Sequence, residues 1–115
     1  MAETELTNDV TAPGTNGTTG QDFTWSAADN ANGNKVDHNG NVLVLARNDD
    51  GSPQTVTITS TTDPWGRSGT ISAYSLGAGE YACFGPFRGP GWQNADGHLY
   101  LTASDANVNF AVIQL

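Results

Sequence analysis

The cleanest alternation of apolar and polar positions lies in Gln54-Thr55-Val56-Thr57-Ile58-Thr59-Ser60, where Val56 and Ile58 take one side and the threonines the other. A period of two predicts a half-buried strand with its threonines toward water. Just upstream, Val42-Leu43-Val44-Leu45-Ala46-Arg47 is apolar on both sides, the pattern of a central strand covered on each face. Between the two, Asn48-Asp49-Asp50-Gly51-Ser52-Pro53 has turn chemistry, because Asp-Gly accepts positive φ and proline cannot extend a ladder. The pair is expected to form a hairpin.

The same reading gives a short first strand near Asp22-Phe23-Thr24-Trp25-Ser26, and others over residues 69–76 and 80–84. Two more follow over residues 98–102 and 108–115. In the last of these, Val108, Phe110 and Val112 should face the core, while Ala111, Ile113 and Leu115 form a second apolar face that needs cover. Residues 27–41 are rich in Asp, Asn and Gly and read as turns; Gly85-Pro86-Phe87-Arg88-Gly89-Pro90-Gly91-Trp92 reads as a stiff loop. About seven short strands at regular spacing predict a single all-β domain over residues 22–115, an antiparallel β-sandwich or small barrel. Residues 1–21 are polar and Gly-rich, with almost nothing that could join a core, and read as an extended N-terminal arm. The arm is expected to lie against a neighbouring chain; the competing reading folds it along its own sheet edge.

Charge narrows the partners. Twelve acidic residues against four basic ones give a net charge of −8, which repels phosphate backbones and anionic membranes. Nucleic-acid and membrane partners are therefore not expected. No apolar run approaches the roughly 20 residues that span a bilayer. The first residues lack the basic and apolar segments of a signal peptide, and Cys83 is the one cysteine, so synthesis in a reducing cytosol is the expectation.

Candidate chemistry is thin. His38 and His98 have no second His or Cys at ligand spacing, so no metal site is expected from them. Asp29-Asn30-Ala31-Asn32-Gly33-Asn34 has the oxygen-rich look of a calcium loop, as does Asp49-Asp50. It fails the EF-hand pattern at Ala31 and Gly33, and turn hydrogen bonding explains the composition better. Cys83, between Ala82 and Phe84, reads as a small core residue rather than a nucleophile. Glu80 is the one Glu beyond the arm, and no Gly-rich loop opens a helix. No catalytic or cofactor-binding residue is assigned, and the chain reads as a binding or structural module rather than an enzyme.

The informative residues are aromatic. Trp25, Trp65 and Trp92 fall in or beside loops, the last two near Arg67 and Arg88, a composition favoured in protein contacts. The same rings could stack on sugars or plug the ends of a core.

Three stretches carry a likeness: Trp25-Ser26-Ala27-Ala28-Asp29 through Gly33-Asn34-Lys35; residues 42–58; and Phe84-Gly85-Pro86-Phe87 followed by Asn94-Ala95-Asp96-Gly97 and a closing apolar strand. In that order they resemble a group of small structural proteins of tailed-phage virions, over residues 22–115. The resemblance implies a head decoration (cement) protein on the outer capsid surface, commonly a trimer, that binds major capsid protein. Neck and tail positions in a virion, and a carbohydrate-binding module using Trp65 and Trp92, are the alternatives. Expected contact residues are Thr4, Leu6, Val10 and Pro13 in the arm, Trp65, Arg67, Arg88 and Trp92 in loops, and Ile113 and Leu115 at a subunit interface.

Overall fold

The computed structural model describes residues 3–12, 20–61 and 69–115. They form an all-β sandwich of two packed mixed sheets, with no closed barrel. The strands are β1 (Thr4–Glu5), β2 (Val10–Thr11), β3 (Ser26–Ala27), β4 (Asn34–Asp37), β5 (Asn41–Asn48), β6 (Gln54–Thr59), β7 (Ile71–Leu76), β8 (Tyr81–Arg88), β9 (His98–Ala103) and β10 (Val108–Gln114). A single helical turn, α1 (Gly89–Trp92), follows β8. The first sheet has the order β1-β4-β9-β6-β7; the second runs β2-β10-β5-β8, with β3 also paired to β10.

The period-two patterns translate directly into burial. Val56 and Ile58 of β6 are fully buried, as are Val42, Val44 and Ala46 of β5 and Val108, Phe110 and Val112 of β10. With Val36, Leu99, Leu101, Phe84 and Phe87 they form one core between the sheets. Alternation works because successive side chains leave opposite faces of the pleat.

Several expectations are corrected. The segment 48–53 does not close a hairpin: β5 pairs with β8 and β10, whereas β6 pairs with β7 and β9 in the other sheet. The connection is an arch between sheets, and buried Asn48 anchors it. Its Nδ2 donates to the carbonyls of Leu76 at 2.9 Å and Ser52 at 3.0 Å, and its Oδ1 accepts from the Asp50 amide at 2.9 Å. Residues 34–37, read as turn, are β4, which places Val36 in the core. Residues 85–88, read as loop, continue β8 through a bulge between Val42 and Val44 of β5. Gly85 fits this bulge at φ 100°, where an added Cβ would lie 3.0 Å from the Val42 carbonyl oxygen. The first strand expected near residue 22 is the two-residue β3, so Phe23 and Trp25 precede it.

The N-terminal segment is also corrected. β1 adds in parallel to β4 and β2 in parallel to β10, so the sheets are mixed rather than purely antiparallel. Leu6, between these strands, is 3% exposed and belongs to the core. Its amide donates to the Lys35 carbonyl at 2.7 Å. Asn8 bridges the gap between β2 and β3, donating from Nδ2 to the carbonyls of Thr24 at 2.7 Å and Phe110 at 3.0 Å. Residues 3–12 thus lie along the edges of their own sandwich.

Candidate functional site

The two outer faces of the sandwich differ in chemistry. On the first sheet the outward positions are Lys35 and Asp37 of β4, Thr55, Thr57 and Thr59 of β6, and His98, Tyr100 and Thr102 of β9, all polar in character. On the second sheet they are Leu43, Leu45 and Arg47 of β5, Tyr81 and Cys83 of β8, and Asn109, Ala111 and Ile113 of β10. Register brings Cys83, Leu45 and Ala111 into one row, with Leu43 beside Ile113 in the next. Ala111 is fully buried, whereas Leu43, Leu45 and Ile113 are half-buried.

A groove of about 400 Å³ opens on this face, lined by Phe23, Trp25, Leu45, Tyr81, Ala82 and Cys83. β3 docks on β10 and lays the preceding Trp25 over the outer row. Trp25 meets Phe23 and Tyr81 edge-on, with centroids 5.8 and 6.0 Å away. The Arg47 guanidinium stacks on its ring at 4.9 Å and pairs with Asp49 at 2.8 Å. Phe23 and Tyr81 remain 42% and 68% exposed, large apolar surfaces left facing water. Among the described residues the groove offers area, three aromatic rings and the Arg47 cation, and no nucleophile paired with a base.

Of the residues expected to contact a partner, Val10 and Ile113 face each other across β2 and β10, and Leu115, just beyond β10, is 52% exposed. Thr4 donates from its hydroxyl to Asp29, and buried Leu6 has no surface to offer. Trp92 packs its ring against Phe87, centroids 4.4 Å apart, and so plugs an end of the core. Arg88 is exposed at the end of β8. Pro13, Trp65 and Arg67 lie outside the described residues. Comparison with family models, curated proteins and solved structures finds no match.

Cys83 is exposed on the outer face rather than in the core. Its alternation with Tyr81 was visible in the sequence, but Phe84 sets the inward phase of β8 and leaves Cys83 outside. The groove itself escaped sequence reading because its lining comes from three distant stretches. The one available signal was the apolar outward set Leu43, Leu45, Ala111 and Ile113, which demanded cover.

The polar candidates resolve individually. Asp29 works as a turn: Oδ1 accepts from the amides of Ala31 and Asn32 at 3.2 Å, and Oδ2 accepts from Asn32 Nδ2 at 3.1 Å. The Thr4 hydroxyl bond, followed by those from Asn32, holds its carboxyl below the usual carboxylate range. Asp50 accepts from the Ser52 hydroxyl at 2.6 Å, Gln54 at 2.8 Å and Asn107 at 3.0 Å, which lower its pKa strongly in that order. His38 is 3% exposed, accepts from the Gly40 amide at Nδ1, and is held below the usual histidine range by burial. His98 sits elsewhere, its Nε2 3.2 Å from Asp37 and 3.4 Å from Glu5.

Proposed function

We propose that this chain is a non-enzymatic virion structural module, a capsid decoration protein that attaches to major capsid protein on the outer surface of a phage shell. The observation that carries the reading is the asymmetry of the sandwich. One outer face is threonine-rich and charged, while the other leaves Phe23, Trp25, Leu45 and Tyr81 around an open groove. An apolar patch edged by polar groups is the usual mark of a protein contact. The likeness of residues 22–115 to small phage structural proteins supplies the partner, and the net charge of −8 suits an outer surface rather than a DNA-lined interior. The mechanism is burial of apolar area repeated over many copies, at about 25 cal/mol per Å² before association costs.

Within this reading the partner contact moves from the arm to the groove. The test is co-sedimentation with capsid shells, comparing native protein with the double variant Phe23→Ser/Tyr81→Ser. Both side chains are exposed, so the variant should keep its fold while losing roughly 30-fold or more in affinity, the effect of removing one aromatic anchor. Equal binding by the two proteins would refute the groove as the contact. Failure of native protein to bind shells would refute the decoration reading.

The clustering of three aromatic rings beside Arg47, Asp49 and Asn109 favours one second reading, a carbohydrate platform. Trp25 and Tyr81 would serve it, since Trp92 is committed to the core. Retention on a glycan array that is lost in Trp25→Ala would select that reading.

A further inference from the structure

The polar outer face of the first sheet gathers three metal-ligating side chains from three adjacent strands. Glu5 comes from β1, Asp37 from β4 and His98 from β9, and Asp37 lies directly opposite His98 in the ladder. The ligand atoms of the three all lie within 4.8 Å of one another. His98 Nε2 stands 3.2 Å from Asp37 Oδ1 and 3.4 Å from Glu5 Oε1. These separations match the edges of a tetrahedron: donors about 2.0–2.1 Å from a zinc ion stand roughly 3.3–3.4 Å apart.

The imidazole is oriented from behind. His98 is held in place, its side chain 17% exposed, and Nδ1 is shut off from solvent 3.5 Å from Asp96 Oδ2. Asp96 is itself fixed, accepting from the Tyr100 hydroxyl and from the His98 amide at 3.2 Å. Nδ1 makes no hydrogen bond, and the Asp96 carboxylate on that side of the ring leaves Nε2 as the nitrogen that faces Asp37 and Glu5, the orientation a ligating imidazole needs. Glu3, Glu5, Asp37 and Asp96 crowd this region, and Lys35 is the nearby basic side chain, so the charge balance favours a cation.

We infer that Glu5, Asp37 and His98 form a site for a divalent transition-metal ion of the zinc type. One nitrogen and two carboxylate oxygens suit zinc better than calcium or magnesium, which take oxygen-only sets. Three protein ligands leave a fourth position for water or for a donor from outside the chain. The ion would tie the two-residue β1 to β4 and β9, fastening the N-terminal segment to the sandwich. This inference does not depend on the decoration reading. Sequence reasoning set zinc aside because it sought a second His or Cys nearby, whereas these ligands lie at positions 5, 37 and 98.

The experiment is isothermal titration of the full, metal-stripped chain with zinc sulfate, alongside calcium chloride, with amide hydrogen exchange followed at Leu6. Zinc should bind once per chain at micromolar concentration or tighter, calcium should not compete, and zinc should slow exchange at the Leu6 amide. Glu5→Gln and His98→Gln should each weaken binding at least tenfold while keeping the native circular dichroism spectrum. Asp96→Asn, acting through His98, should weaken it about tenfold. Absence of stoichiometric uptake by the native chain would overturn the site. So would equal zinc affinity in the folded Glu5→Gln variant, or calcium bound as tightly as zinc.

Discussion

A buried asparagine anchors the arch that joins the two sheets. Asn48 is fully buried and satisfies carbonyls at the end of β7 and in the arch, so Asn48→Ala leaves them without donors. Each unsatisfied buried group costs about 1–3 kcal/mol, and a corresponding fall in the urea midpoint is the expected result. His38 adds a pH dependence. Burial lowers its folded pKa, so the unfolded chain binds a proton more readily, near pH 6.5, than the native one does. Its contribution is complete above about pH 6.5 and is lost as pH falls below that value toward the folded pKa. Urea melts at pH 8 and 5.5 should show lower stability at the acid end, and His38→Gln should shrink the difference. Asp50 acts lower on the scale. Its bonds from Ser52, Gln54 and Asn107 depress its pKa, so its contribution holds above the unfolded carboxylate value and disappears as pH drops through the acid range.

At the scale of elements, the N-terminal segment separates what the sequence could say from what it could not. Leu6 stands alone among Thr, Glu, Asn and Asp, so no period marks it, yet it is 3% exposed beneath β1 and β2. Leu6→Ala should cost about 2–5 kcal/mol, the range for emptying a core site. A free arm would lose less than about 0.5 kcal/mol, and a denaturant titration distinguishes the two. The same contrast explains β4, whose single core residue, Val36, sits among turn-forming neighbours and gives no alternation to detect. In β6 and β10 both the strand and its inward face could be read from the sequence, whereas β5, apolar on both sides, announced a strand without saying which side meets the core. Pairing could not be read, because Asp50-Gly51 turn chemistry serves a hairpin and an arch alike. What decides is Asn48, whose side chain reaches the first sheet from the end of β5, a three-dimensional fact without a local signature.

On the scale of the whole molecule, the outer face of the second sheet is long enough to serve two contacts. Phe23, Trp25 and Tyr81 surround the groove near the start of β8, whereas Ile113 and exposed Leu115 mark the other end of the sheet, beside Leu43. If the groove meets the shell, the apolar patch at Ile113 and exposed Leu115 is left for neighbouring copies, where one patch repeated on each copy can build a closed symmetric assembly. A trimer is the state implied by the decoration reading. Sedimentation equilibrium of native protein at tens of micromolar should then return three times the mass of the 12.0 kDa chain. Leu115→Asp should convert it to monomer without altering the circular dichroism spectrum, because the side chain is 52% exposed in the single chain and makes little contribution to its core. An aspartate there would bring like charges together between copies of a chain that already carries a net charge of −8, so dissociation should be deepest at low salt. A monomeric native protein would assign this end to the capsid along with the groove, and Leu115→Asp would then weaken shell binding instead.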